Sequence, residues 1–275
     1  MASLKQTLDA FYMQYNFRER LLYDPIEFPH RYKTREDIAV SGFVASCFAY
    51  GKVALFKPVV AKLLSLMGSH PHSFLMDFTV RKHGKYFKFK YRFNESEDIL
   101  CLAYLLHVVL KKYSSLENAF SSHYSPGDSD TGRAIAGFVD EAMSVDTSPV
   151  YGEDIHPRGI TQLFPSPVKG SACKRMNLFL RWMVRDRDID FGIWKDIPAN
   201  KLVIPLDVHI ARISRCLGLT RRSSADWRTA VEITEALKEL DPADPLKYDF
   251  ALCHHGISGL CKSRGGPACK ECVLK

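Results

Sequence analysis

Residues 201–213 read KLVIPLDVHIARI and place a single carboxylate, Asp207, two residues after a proline. Pro205 favours the start of a helix and Gly218 its end, so we predict an amphipathic helix opened by Pro205 and closed near Gly218. Its apolar residues recur at helical spacing: Ile210, Ile213 and Leu217. Asp207 then lies in the first turn, where a carboxylate either caps the helix or belongs to a functional site.

The segment around Asp207 has further distinctive residues. Ile204-Pro205-Leu206-Asp207-Val208-His209, followed by Arg212 and by the turn Leu217-Gly218-Leu219, resembles the catalytic-aspartate segment of the helix-hairpin-helix DNA glycosylases. This superfamily includes endonuclease III and the 8-oxoguanine glycosylases. The resemblance implies that Asp207 stabilises a cationic sugar and that His209 contacts DNA.

The rest of the chain predicts an all-α protein. Helical patterns alternate with short turns marked by proline or glycine, and few strand signals occur. The resemblance implies a two-lobed helical bundle of the helix-hairpin-helix DNA glycosylase type. We expect an N-terminal helical arm over residues 1–36 and a glycosylase-like domain of two helical lobes over residues 37–275. This domain would end in a cysteine-rich tail at about residues 253–275.

A second chemical group is expected upstream of Asp207. Residues 164–177 read FPSPVKGSACKRMN, and the pattern that follows predicts a helix with Gly170 and Ser171 at its entry. Lys174 lies in its first turn, 33 residues before Asp207. In bifunctional glycosylases a lysine near the start of the second hairpin helix attacks the deoxyribose C1′, so the resemblance implies that Lys174 is the nucleophile. The wide spacing is closer to the archaeal 8-oxoguanine glycosylases than to endonuclease III.

The same helix and its entry supply candidate DNA contacts. Lys169, Gly170 and Ser171 take the place of the family's Pro-Gly-Val-Gly turn, where backbone groups and the helix N-terminus hold a phosphate. Lys169 is the alternative nucleophile. Arg181 and Arg185 share the helix face of Lys174, and we expect them to contact phosphates. Periodicity alone favours a solvated basic face, and a DNA-facing helix would show the same pattern.

A base pocket is implied nearer the N-terminus. Residues 37–52 resemble the early helix that the family uses to enter this pocket. Where the family often has a glutamine, this chain has Phe48. The resemblance therefore implies that Phe48 and Tyr50 recognise the base by stacking.

Residues 86–93 read YFKFKYRF and alternate aromatic with basic side chains. This alternation favours a short strand or an extended surface segment. Such a segment either stacks on bases and contacts phosphates, or is a half-buried edge with solvated lysines.

Four cysteines are concentrated at the C-terminus, in the spacing C-x7-C-x7-C-x2-C. Four thiolates hold zinc or an iron–sulfur cluster, and the last three resemble the [4Fe-4S] loop of endonuclease III-type enzymes. We expect a metal site formed by Cys253, Cys261, Cys269 and Cys272. The alternative is a tail of free thiols. The four other cysteines lie among apolar neighbours and are expected in the core.

Composition limits the class of protein further. The chain has 275 residues, with 38 Lys and Arg against 31 Asp and Glu, and a hydrophobic content of 46%. No stretch indicates a signal peptide or a membrane span, and the basic excess suits a polyanion, so we expect a cytoplasmic monomer that binds damaged double-stranded DNA. The resemblance implies a base-excision glycosylase with AP-lyase activity on an oxidised base such as 8-oxoguanine. The alternatives are a non-catalytic nucleic-acid-binding protein of the same fold and a metal-binding interaction module.

Overall fold

The computed structural model describes residues 3–259, 261 and 272–274. These residues form α-helices and short 3₁₀ turns and contain no β-strand, which confirms the predicted all-α class for the described part of the chain. The helices of the first two-thirds are α1 (Leu4–Met13), α2 (Phe17–Leu21), α3 (Arg35–Cys47), α4 (Val53–Met67), α5 (Pro71–Met76), α6 (Val80–His83), α7 (Ser96–Tyr113), α8 (Leu116–Ser121), α9 (Gly132–Met143), α10 (Ser148–Tyr151) and α11 (Arg158–Leu163). The remaining helices are α12 (Lys174–Val184), α13 (Val208–Leu217), α14 (Trp227–Lys238) and α15 (Asp249–Ile257).

The chain divides into two compact units. Residues 23–166 form one unit, and residues 1–22 together with 167–275 form the other. The expected boundary between residues 36 and 37 is therefore not where the chain divides. Instead α1 belongs with the C-terminal helices, because Leu8 is fully buried in their hydrophobic core.

The unit of residues 23–166 is built around α3 and α7. Every residue of α3 from Asp37 to Cys47 is buried, and α7 carries a stripe of buried apolar residues along its length. Aromatic rings fill the space between helices. Phe120 and Phe138 stack with their ring centroids 4.1 Å apart, and Phe43 meets Phe138 edge-on.

The other unit holds both candidate catalytic residues. Its core is formed by α1, α13, α14 and α15 and by the extended segment that precedes α13. Helices α13 and α15 approach closely because Gly256 has no side chain: a Cβ at this position would lie 2.6 Å from the Cβ of His209. This contact fixes the start of α13 against α15.

Along the described residues, none of the helices combines the length and apolar character that crossing a membrane requires.

Candidate functional site

Asp207 is the N-cap of α13, which begins one residue later, at Val208. The helix therefore starts further along the chain than predicted, and Pro205 lies in the buried extended segment before it. Asp207 has extended backbone angles, and its Oδ1 accepts hydrogen bonds from the backbone N–H groups of His209 and Ile210, both at 2.9 Å. Gly218 ends the helix in the left-handed conformation, as predicted.

Lys174 is the first residue of α12. The chain turns into this helix through Cys173, which has a left-handed backbone with φ of 47° and a buried side chain. Such a conformation is uncommon for a residue with a side chain, so the entry to α12 is tightly constrained. The constraint places the lysine at the helix start.

The structure brings the two candidate catalytic groups together. Lys174 Nζ lies 3.2 Å from Asp207 Oδ2, although the residues are 33 positions apart. The Asp207 side chain is 12% exposed and that of Lys174 is 34% exposed, so the pair is largely shielded while the amine stays accessible. Asp207 thus uses one oxygen to cap a helix and the other to hold an ammonium group.

Electrostatics keep this carboxylate ionised. Burial acts to raise the pKa of Asp207, but the Lys174 ammonium and the backbone N–H of Ile210 outweigh it and hold the pKa below its usual value. At neutral pH the site therefore presents a shielded negative charge next to a primary amine.

Cys253 is a third member of the site. It lies on α15, and its thiol donates to the same Asp207 Oδ2 across 3.6 Å. This contact is not predicted from the sequence, where the cysteine pattern places Cys253 in a metal site. The only available signal was its separation from the other three cysteines and its location in a helical pattern.

His209 and Arg212 lie beside the site on α13. Arg212 Nη2 is 3.3 Å from His209 Nδ1 and donates to the carbonyl oxygen of Gly256 at 3.3 Å. Both side chains are partly buried. The predicted DNA contact of His209 stays a prediction.

The prediction that Arg181 and Arg185 present an exposed basic face is wrong. They are 2% and 3% exposed, and buried or partly buried carboxylates surround them. Arg181 pairs with Asp249 at 2.5 Å and with Asp190 at 3.3 Å, and Arg185 pairs with Asp190 at 3.0 Å. Arg185 also pairs with Asp188 and Asp244, each at 2.9 Å. Guanidinium groups buried in this way cannot reach a phosphate, so we withdraw both as DNA contacts.

Asp249 is the unusual member of this buried network. Two guanidinium groups face four carboxylates, which leaves an excess of negative charge, and the Oδ1 of Asp249 has no hydrogen-bond partner among the described residues. Burial raises the pKa of Asp249 to about 6, opposed by Arg181 and assisted by the charges of Asp207 and Asp190. Asp249 could not be identified from the sequence, because nothing in the residues around the start of α15 indicates that this acid is buried.

The predicted phosphate-binding turn is accessible. Pro167–Lys169 forms a 3₁₀ turn, Lys169 and Gly170 are exposed, and Gly170 has a φ of 75° that suits glycine. Ser171 is partly buried and forms an isolated backbone bridge with Asp226. The turn keeps the exposure that a phosphate contact requires, and its role stays a prediction.

The predicted base pocket is not built as expected. Phe48 is fully buried in the core of its unit, so its ring cannot stack on a base, and we withdraw it. Tyr50 is partly buried, and its hydroxyl donates to Asn94 Oδ1 at 2.5 Å. The periodicity of α3 does not distinguish a pocket from a core, since the helix is buried on every side from Asp37 to Cys47.

Three of the four cysteines of the predicted metal site lie among the described residues. Cys269 lies outside the described residues, while Cys261 and Cys272 are partly buried against the same hydrophobic core as Cys253. Within the described ranges, no group of three or more His, Cys, Asp or Glu side chains is arranged to hold a metal ion. The described cysteines thus do not assemble a ligand set, and the metal site stays a prediction.

Comparison with known proteins gives one match. The family described as "Protein of unknown function (DUF2400)" matches residues 24–258, which is most of the chain, and the chain therefore belongs to this family. No curated protein and no solved structure matches this chain.

Proposed function

We propose that this protein is a DNA base-excision glycosylase with AP-lyase activity, in which Lys174 is the nucleophile and Asp207 stabilises the charge that develops on the sugar. The observation that carries the proposal is the 3.2 Å contact between Lys174 Nζ and Asp207 Oδ2, each presented at the N-terminus of a helix. The resemblance of the Asp207 segment to the helix-hairpin-helix glycosylases supports the same assignment.

The chemistry requires a neutral amine, so the Lys174 ammonium first passes one proton to solvent water, which the partial exposure of its side chain allows. Lys174 Nζ then attacks C1′ of the damaged nucleotide, the bond between C1′ and the base breaks, and the base leaves with the electron pair and takes up a proton. Loss of the nitrogen proton and opening of the sugar ring give a Schiff base at C1′. Removal of a C2′ proton then expels the 3′ phosphate, and water hydrolyses the Schiff base to release Lys174.

Asp207 acts through its charge in this scheme. Because its pKa is held below the usual value, it is a weak base and an effective partner for positive charge on the sugar. The partial burial of Asp207 strengthens that interaction, since its surroundings screen charge less than bulk water does. Capping by Oδ1 keeps the carboxylate aimed at the site while Oδ2 engages the reacting groups.

The DNA contacts in this proposal come from the exposed turn and not from the buried arginines. Lys169 and the backbone of Gly170 hold a phosphate, and Ser171 and His209 are the further proposed DNA contacts. Damaged double-stranded DNA is the proposed partner and an oxidised base such as 8-oxoguanine the proposed substrate, with the protein acting as a cytoplasmic monomer. We add no metal to the mechanism. Iron and zinc analysis of the purified protein tests the predicted cysteine site separately.

Borohydride trapping tests the proposal. The protein is incubated with duplexes carrying 8-oxoguanine, uracil, thymine glycol or an abasic site, and borohydride reduces any imine to a stable adduct. We expect an adduct with at least one duplex, and its loss in Lys174→Gln.

Lys33→Gln is the matched control, since it removes another exposed lysine that is not among the proposed DNA contacts, and the adduct should persist. Absence of an adduct with every duplex, or its survival in Lys174→Gln, would contradict the proposal. Salt-dependent duplex binding without turnover would favour a non-catalytic nucleic-acid-binding protein instead.

A further inference from the structure

Residues 78–94 contain six lysines and arginines and no aspartate or glutamate. All six cations are exposed: Arg81, Lys82, Lys85, Lys88, Lys90 and Arg92. Of the two predicted forms, a short strand or an extended surface segment, residues 86–93 do not form the strand; their one ladder contact is a bridge between Tyr91 and Asn94. A surface with this charge suits a polyanion.

The bridge closes a tight turn with two exposed residues at its tip. The N–H of Tyr91 donates to the carbonyl oxygen of Asn94, and the N–H of Asn94 donates to that of Tyr91, both at 2.9 Å. Arg92 and Phe93 form the tip, and Phe93 is 55% exposed. More than half of the Phe93 side chain is therefore open to a ligand within a cationic segment.

Buried polar contacts hold this turn in place. Asn94 is fully buried, and its Nδ2 donates to the carbonyl oxygen of Gly159 at 2.6 Å. The Tyr91 hydroxyl donates to the carbonyl oxygen of Tyr50, and the Tyr50 hydroxyl donates to Asn94 Oδ1. These contacts hold the two ends of the turn in place, so that binding a ligand at the tip costs less conformational entropy than ordering a mobile loop would.

The turn also carries local strain. Arg92 has a φ of 52°, in the region that favours glycine. Its guanidinium lies 5.3 Å from the ring centroid of Phe93 and 5.7 Å from that of Tyr50. Gly51, with a φ of 82°, makes room for it, because a Cβ there would lie 2.6 Å from Arg92 Nη1. The turn thus holds a cation beside an exposed ring, and an aromatic face next to a positive charge can take a stacked base.

We propose that this cationic turn, defined as residues 88–94, binds unpaired nucleotides of a single-stranded nucleic acid. A base stacks on Phe93, while Arg92 and Lys88 contact the phosphates on either side; Lys90, which pairs with exposed Glu95 at 3.6 Å, adds charge beside them. Stacking on an aromatic ring beside a positively charged track is how proteins hold single strands without reading sequence. The proposal is independent of the chemistry at Lys174, because no residue of that site takes part.

Binding of a fluorescein-labelled 12-residue oligothymidylate to the full chain, followed by fluorescence anisotropy, tests the proposal. We expect Phe93→Ala to weaken binding by about 5- to 100-fold through loss of base stacking. Tyr23→Ala is the matched control, since Tyr23 is also exposed, at 61%, and lies outside the cationic segment. Its affinity should equal that of the wild type.

Two further variants separate charge and strain from folding. Lys88→Glu/Lys90→Glu should weaken binding and flatten its salt dependence more than Lys33→Glu/Lys111→Glu, which makes the same charge change at two other exposed lysines. Arg92→Gly should keep or raise the thermal midpoint, since glycine suits this φ, and still weaken binding.

Several results would overturn the proposal. The first is that the protein does not bind the oligonucleotide. The second is that the test and control variants lose affinity equally, and the third is that the protein binds the matching 12-base-pair duplex more tightly than the single strand. Phe93-dependent binding to vesicles of anionic phospholipid, without binding to the oligonucleotide, would assign the turn to a membrane surface instead.

Discussion

Asp207→Asn separates the two roles of the Asp207 carboxylate. The Oδ1 atom caps α13 and the Oδ2 atom pairs with Lys174. Asparagine is a good N-cap, so its side-chain oxygen can keep the first role, while its amide cannot provide the charge for the second. We therefore expect a small loss of stability and a large loss of activity.

The magnitudes follow from the burial of the pair. The Lys174 side chain is one-third exposed, so solvent screens the ion pair and its loss costs about 1 kcal/mol of unfolding free energy. Asp207→Ala also removes the cap, which adds about 1 kcal/mol, for about 2 kcal/mol in total. Losing charge stabilisation in a shielded site should lower the single-turnover cleavage rate by about 10²- to 10³-fold in both variants.

Urea unfolding measures the stabilities, and cleavage of a lesion-containing duplex with enzyme in excess measures the rate. Two results would refute the reasoning. One is an Asp207→Asn enzyme as fast as the wild type. The other is an Asp207→Ala protein no less stable than Asp207→Asn, since the cap would then contribute nothing.

Three further predictions concern residues around the site. The contribution of Asp249 to the unfolding free energy should fall as pH rises from about 4 to 6, because Asp249 keeps its proton in the folded protein after the unfolded chain has released it. Asp249→Asn should remove about 3 kcal/mol of this pH dependence, measured by urea unfolding, and an unchanged pH dependence would contradict the prediction. Cys253→Ala should slow cleavage about fivefold by removing a donor to Asp207, whereas Cys253→Ser, which keeps a donor, should stay near the wild-type rate; equal rates in the two variants would count against this contact. Gly256→Ala should lower the unfolding free energy by about 1 to 2 kcal/mol, since its Cβ collides with that of His209. A thermal midpoint at or above that of the wild type would show that α13 and α15 move apart without a loss of stability.

Much of the candidate site could be predicted from the sequence. The acid at the start of a helix and the lysine at the start of an earlier one were identified from local signals, and the resemblance supplied the reason for them to meet. Helix ends were less accurate, because Pro205 was taken as the first turn whereas α13 starts after Asp207. Proline favours both a first helical turn and the extended segment before it.

The errors share one physical cause. Arg181 and Arg185 lie on α12 at a spacing typical of a solvated face, yet their partners come from distant positions such as Asp244 and Asp249. A helical pattern shows which residues share a face and not what covers that face. Phe48 was misassigned for the same reason, since α3 is enclosed on all sides.

The most direct test of the central claim is to locate the covalent bond itself. Protein trapped by borohydride on a lesion-containing duplex is digested, and mass spectrometry identifies the modified residue. The account predicts that the reduced sugar adduct is on Lys174, 3.2 Å from Asp207 in the free protein. An adduct on Lys169, on another lysine or on the N-terminal amine would contradict it.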